Sequence, residues 1–396
     1  MNMRYRWLLA AGASVALVGA LSTQALAQPA RARAPVGAAG AFSSPATGGV
    51  PGSTMAKPAG SAGSPLPGGA VPAGFQPQSV TFISASDGWV LGSAPCGARD
   101  CLAVLRTGDG GKTWRSVPAP PADLTTLGGK PGVYELVFAD SRDGLAYGPR
   151  LYATHDGGSA WQRVRLPGDV EWLAAGGGTA YAIVIGTDRR LRVYRSPVTQ
   201  THWSRVAGLP AKFGDFAGQY PITLYGKAAW IFLGGDLYAT KTGASWQRDR
   251  IPCPAGFPAM RLAAQDESRV SVACEQPAIG TAEKIIFNSR DGGHTFSRAR
   301  QAPPLIGDGS NLARPSPGHF ALACVSSRVT ANLIYSSSDG GRTWRTALEL
   351  IDGAKGWLDL GFTTALRGAV VEGTPAIGSH LYLTTDGGAS WHRASF

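Results

Sequence analysis

One eight-residue pattern recurs along this chain of 396 residues, and its period limits the fold more than any other feature. Thr107-Gly108-Asp109-Gly110-Gly111-Lys112-Thr113-Trp114 returns as THDGGSAW (Thr154 to Trp161), SRDGGHTF (Ser289 to Phe296), SSDGGRTW (Ser337 to Trp344) and TTDGGASW (Thr384 to Trp391). Two worn copies, SPVTQTHW at 196–203 and TKTGASW at 240–246, fill the gap. The closing aromatic residues stand at 114, 161, 203, 246, 296, 344 and 391. A period of roughly 45 residues belongs to repeat architectures.

The chemistry of the pattern is that of a turn. An Asp side chain accepts hydrogen bonds from nearby backbone N–H groups, and Gly takes positive φ without a Cβ penalty. The aromatic residue then opens a strand and packs inward. In the first repeat the alternating runs are VTFI (80–83), WVLG (89–92), AVLR (103–106) and WRSV (114–117), four short strands joined by Gly-rich or polar turns. Four antiparallel strands repeated seven times describe an all-β, seven-bladed β-propeller over residues 79–396. The composition agrees: 54 Gly, 28 Pro and only 16% charged residues exclude a coiled coil or helical bundle, and 11 Trp exclude wholesale disorder. The last repeat ends at the chain terminus, so the blades run in phase. Blades seven and one are expected to meet by side-chain packing, or else through an edge strand from Val71–Gln76.

The turns resemble the BNR or Asp-box repeat, S-x-D-x-G-x-T-W, of sialidases, xyloglucan hydrolases and sortilin-type receptors. With the earlier segments FISASDGW (82–89) and FADSRDGL (138–145), the chain looks most like the photosystem II assembly and stability factor family of seven-bladed propellers. Asp109, Asp156, Asp291, Asp339 and Asp386 are then structural turn residues on the outer rim. The resemblance speaks to fold, because this repeat serves enzymes and binders alike.

Residues 1–27 read as an export signal, with Arg4 and Arg6 before an apolar stretch and Ala25-Leu26-Ala27 as the cleavage pattern. Residues 28–78 contain 12 Ala, 10 Gly and 9 Pro and no acidic residue, the composition of a disordered tether. The expected location is the periplasm or the extracellular space, with no membrane span in the mature chain. The net charge of +11 includes no run of five Lys or Arg, so nucleic acid is not an expected partner. An oxidising space favours disulfides. Cys96 and Cys101 are close in sequence, Cys253 is expected to pair with Cys274, and Cys324 is left buried.

The six His, at 155, 202, 294, 319, 380 and 392, show no metal-ligand spacing. Arg250-Ile251-Pro252 matches a sialidase tripeptide but follows the fourth repeat rather than preceding the first box. A glycosidase needs two carboxylates across one cleft, and xyloglucan hydrolases resemble two propellers facing each other where this chain supplies one. Aligning the repeats at their first strands gives a polar column: Ser79, Glu135, Glu171, Asp215, Arg261, Asn311 and Asp359, each followed by an apolar residue. First strands line a propeller's axis, so these acids are expected to converge at the channel mouth. Glu135, Glu171, Asp215, Arg261, Asn311 and Asp359 are the candidate ligand-binding residues, with a Ca²⁺ ion at the mouth as the conceivable cofactor. The reading is an exported, monomeric binding or assembly propeller that captures an envelope protein or polysaccharide. The alternative is a glycan-processing hydrolase.

Overall fold

A computed structural model of the chain describes residues 69–125, 131–213, 221–276, 281–351 and 353–396. Residues 1–68, which hold the expected signal segment and most of the expected tether, lie outside the described residues. Seven antiparallel sheets follow in sequence order, each of four strands running outward from the axis, and blade three gains a fifth strand, Lys212–Phe213. The first strands are Gln76–Phe82, Glu135–Phe138, Asp169–Gly176, Ile222–Tyr225, Ala259–Ala264, Asp308–Ser316 and Trp357–Phe362. Each neighbours the next, and the seventh returns to the first, so the ring is closed.

Strand alternation turns side chains to both faces of every sheet, and both faces here are apolar. The buried residues accordingly fall into seven clusters, one at each blade-to-blade interface. Trp89, Leu91 and Val104 of blade one meet Leu136, Phe138 and Ala146 of blade two, and Trp89 stacks on Phe138 with ring centroids 3.9 Å apart. Val80, Val90 and Leu105 of blade one meet Val371, Leu381 and Leu383 of blade seven.

The DGG turns carry the hydrogen bonds their chemistry calls for. Asp109 Oδ1 accepts from the amides of Lys112 and Thr113 at 3.0 and 2.9 Å, and Oδ2 accepts from Thr113 Oγ1 at 2.6 Å. Asp291, Asp339 and Asp386 repeat this set, while Asp156, where Ala160 replaces Thr, has no hydroxyl to accept from at that position. These bonds stabilise the ionised carboxyl: the Thr295 hydroxyl and then its amide hold Asp291, and the Thr343 amide and then its hydroxyl hold Asp339, well below the usual carboxylate range.

The first glycine of the DGG turns donates its amide to the first hairpin of its own blade, as Gly110 to Ser86 and Gly157 to Arg142, both at 2.8 Å. Turn glycine carbonyls also accept from the preceding blade: Trp89 Nε1 donates to Gly157 at 3.1 Å, Arg195 Nη1 to Gly243, the one glycine of its turn, at 2.6 Å, and Trp230 Nε1 to Gly292 at 2.7 Å. At blade one, φ is +76° at Gly110 and +86° at Gly111, and a Cβ on Gly111 would come within 2.6 Å of Leu383 Cδ1 in blade seven.

Blades seven and one share no strand. Their seam is held by packing, as the sequence suggested, with Phe396 against Phe75 and Trp114 at centroid distances of 5.0 and 5.6 Å. Thr363 Oγ1 donates to the Phe82 carbonyl at 3.1 Å, and Gln76 Oε1 accepts from the Ser379 amide at 2.8 Å. The fold begins before the boundary drawn at residue 79. Phe75 is buried, and Gly69 pairs with Ser116 on the outer strand of blade one. Composition hid this, because these residues continue the Ala/Gly/Pro pattern while one aromatic side chain anchors them. Cys96 is bonded to Cys101 and Cys253 to Cys274, with Cα separations of 5.7 and 5.6 Å, and Cys324 is buried and belongs to neither disulfide.

Trp230 tests the blade-to-blade tie. Trp230→Phe, which keeps most of the ring volume and leaves the Gly292 carbonyl without this donor, is expected to lower stability by about 1–3 kcal/mol. Trp230→Ala is expected to cost about 3–5 kcal/mol, both read by urea denaturation.

Candidate functional site

The strand register decides which residues share the polar column. Counted from the turn Ser or Thr of each blade, Ser79 pairs with Leu91, Glu135 with Tyr147, Arg261 with Ala273 and Asn311 with Ala323, four equivalent places. β-Bulges displace the others. In blade three Trp172, not Glu171, holds the equivalent place opposite Ile183, and Glu171 is the extra residue of the bulge. In blade seven Asp359 lies in the interrupted stretch between Leu358 and Gly361, with φ of +52°, a conformation that Asp tolerates better than most residues. Blade four departs further. Thr223 pairs with Trp230 as Thr81 pairs with Trp89, which makes Pro221 the counterpart of Ser79. Asp215, the residue expected in that place, lies outside the described residues. The FGDF run imitates a strand start, but the first strand of blade four is Ile222–Tyr225.

The column members that the structure describes are drawn into bonds between blades. Glu135 is 2% exposed, Asp359 1%, Arg261 3% and Asn311 2%. Ser79 Oγ donates to Glu135 Oε2 at 3.3 Å and accepts from the Leu136 amide at 2.9 Å, joining blades one and two. Asp359 Oδ2 accepts from the Val80 amide at 2.9 Å, joining seven to one. Arg261 Nε donates to Asn311 Oδ1 at 3.0 Å, and Asn311 Nδ2 to the Trp357 carbonyl at 3.0 Å, joining five to six and six to seven. Glu171 stands apart and half-buried, its carbonyl accepting from Tyr134 Oη at 3.0 Å. The expected cluster of exposed acids at the mouth is therefore a buried belt, with Glu171 the described acid of the column that keeps solvent access.

Glu135 and Asp359 are hydrogen-bonded to each other. Burial first, and then the neighbouring Asp359 charge, push the Glu135 carboxyl well above the ordinary range, which favours a proton held between the two groups. The Val80 amide donates to Asp359 Oδ2, and the Ser79 hydroxyl, which accepts from the Leu136 amide, donates to Glu135 Oε2. That donor set suits a shared proton and does not fit Ca²⁺, which asks for about 6–8 oxygen ligands. Among the described residues no three His, Cys, Asp or Glu come together as a metal site. Arg261 is lowered to about 10 by burial, with Glu275 opposing the shift, and stays charged at neutral pH. A small cavity of about 60 Å³ on the axis is bounded by Arg261, Asn311 and Arg314 among others, room for little more than water.

Two buried polar groups escaped the sequence reading. Lys284 donates from Nζ to the carbonyls of Ala282, Pro304, Leu305 and Gly307, tying blade five to the connector that follows it. Glu372 accepts from Asn332 Nδ2 at 2.8 Å and meets His380 Nδ1 at 3.0 Å. A single Lys or Glu inside an apolar strand was the available signal, and it does not say which neighbour satisfies the charge.

No protein-family model matches the sequence, and no curated protein does. The fold has clear structural counterparts. YCF48 from Cyanidioschyzon merolae matches with a TM-score of 0.53 at 16% identity, over 80% of this chain and 97% of that one. YCF48 bound to D1 peptide matches with a TM-score of 0.53 at 18% identity, over 80% and 95%. The GH74 xyloglucanase from Xanthomonas campestris matches with a TM-score of 0.51 at 14% identity, over 81% of this chain and 52% of that one. At such identities the likeness establishes the shared propeller fold.

The acid pair implies a pH dependence of definite sign. A carboxyl whose folded value is raised binds its proton more tightly in the native state, so its favourable contribution is complete below about pH 4.3, the unfolded value, and is lost as pH rises toward the folded one. Wild-type protein is expected to lose stability relative to Glu135→Gln between pH 5 and pH 8, by at most about 1.4 kcal/mol per pH unit. Parallel denaturation midpoints for the two proteins across this range would remove the shared proton from the account.

Proposed function

We propose that this protein is an exported binding propeller that captures a polypeptide segment of a partner in the cell envelope. The observation that carries the reading is coverage. One seven-bladed ring accounts for 97% and 95% of the two YCF48 chains, one of which holds a D1 peptide, but for only 52% of the xyloglucanase. The first comparison leaves almost nothing of the counterpart unmatched; the second leaves half of an enzyme without an equivalent in this ring. The amino-terminal pattern at residues 1–27 supports export, and a partner in the envelope follows from that location. Blade-to-blade bonding of Glu135, Arg261, Asn311 and Asp359 moves the contact away from the column and toward surfaces that solvent reaches.

Arrayed peptides covering the exported proteins of the source organism test this directly. Purified full-length protein is expected to bind a discrete set saturably, with free peptide as competitor. Release of reducing sugar from xyloglucan or of sialic acid from sialosides, abolished by Glu171→Gln, would replace the binder with a hydrolase.

A further inference from the structure

The seam between blades seven and one carries two cavities that run into each other. One, of about 390 Å³, lies between the DGG turn of blade one and the outer strands of blade seven. The other, of about 510 Å³, lies between residues 71–77 and the last residues of the chain. Arg393, Ala394 and Ser395 line both. Lys112, Arg367 and His392 add to the first and His380 to the second, and neither is lined by an Asp or Glu. Asp109 and Asp386, the acids of the adjoining turns, are bonded within their own turns. The charged side chains of the groove are thus the basic Lys112, Arg367 and Arg393, His380 being bonded to Glu372, and Phe75, Phe82, Leu383 and Phe396 form its apolar part.

A strand edge adjoins it. His392–Arg393 is the outer strand of blade seven, and the Ala394 amide donates inward to the Leu381 carbonyl at 2.8 Å. Bonding alternates along an antiparallel strand, so the amides and carbonyls of Arg393 and Ser395 turn to the outer side. On blade one this rim takes a backbone partner in a single β-bridge: Gly69 and Ser116 exchange both backbone hydrogen bonds at 3.0 Å.

We infer that the seam of blades seven and one takes an extended, acidic polypeptide segment, which adds as a strand beside Arg393–Ser395 and sets its carboxylates against Lys112, Arg367 and Arg393. The inference rests on the reading of this protein as a capturer of polypeptide. Charge complementarity selects the occupant: residues 28–78 of the chain itself contain no acidic residue, so the matching segment belongs to a partner. Strand addition supplies affinity through the main chain, and alternate side chains supply selectivity.

The test uses full-length protein and a fluorescein-labelled twelve-residue peptide of alternating Thr and Glu, followed by anisotropy. Saturable binding that weakens with salt is expected. The double variant Lys112→Glu/Arg393→Glu should weaken it at least tenfold with an unchanged melting curve. Arg248→Glu on blade four, 67% exposed, should leave it unaltered. Replacing Glu by Lys in the peptide, or methylating the amides along one of its edges, should abolish it. Failure of the Thr–Glu peptide to bind, equal binding by the double variant, loss only on Glu171→Lys, or a seam-dependent dimer in sedimentation would each overturn the seam as the site. Arrayed peptides separate the two readings. If wild type and the double variant capture the same peptides, the seam alone falls; if wild type captures none, the proposed function falls with it.

Discussion

Both faces of every blade in this protein are apolar, so no blade is complete until it has a neighbour on each side. The seven buried clusters show the consequence, since each draws its members from two adjacent sheets. An open array would leave two such faces in water, and large exposed apolar patches are rare on soluble proteins. Closure of the ring is therefore the condition on which the rest depends, and the polar interactions are best understood by what they do for it.

Two layers of hydrogen bonds serve closure at different radii. Near the axis, the belt from Arg261 through Asn311, Asp359 and Ser79 to Glu135 links blades five, six, seven, one and two. At the turn level, a turn glycine carbonyl is reached by Trp89, Arg195 or Trp230 of the preceding blade. Packing alone is non-directional. Bonds of fixed length set how each blade sits against the next, and a ring closes only when those settings agree around the circle.

The turn motif made the blade count legible, because an Asp that accepts two amides and a hydroxyl four residues on needs D-G-G-x-T in that order. The same regularity made the column visible at Ser79, Glu135, Arg261 and Asn311. Elsewhere the column was misaligned for a physical reason. A bulge inserts one residue and flips the alternation beyond it, which is how Glu171 and Trp172 exchanged places, and nothing in DVEWLAAG announces it. In blade four the worn repeat left FGDF and ITLY as rival strand starts, and only pairing of Thr223 with Trp230 separates them. Burial of the acids was beyond a one-sequence reading, since a polar residue before an apolar run looks the same at a wet mouth and inside a belt.

Placing acids in that belt has a consequence for where function can reside. A buried carboxyl pair is tolerated only while it shares a proton or meets a cation, and here burial and the closeness of Asp359 to Glu135 favour the former. Any ligand that drew on Glu135 or Asp359 would loosen the bonds that join blade one to its neighbours on both sides. The rim carries no such conflict. Outer strands such as Gln162–Val164 and His392–Arg393 are short and end the sheets, so they contribute little to closure and keep one row of backbone groups for a partner. Among the described residues the outer strand of blade one meets Gly69, while the outer strand of blade seven lies beside the groove of Lys112, Arg367 and Arg393. Structure at the axis and the recognition proposed for the rim thus answer to one requirement, that the ring close first.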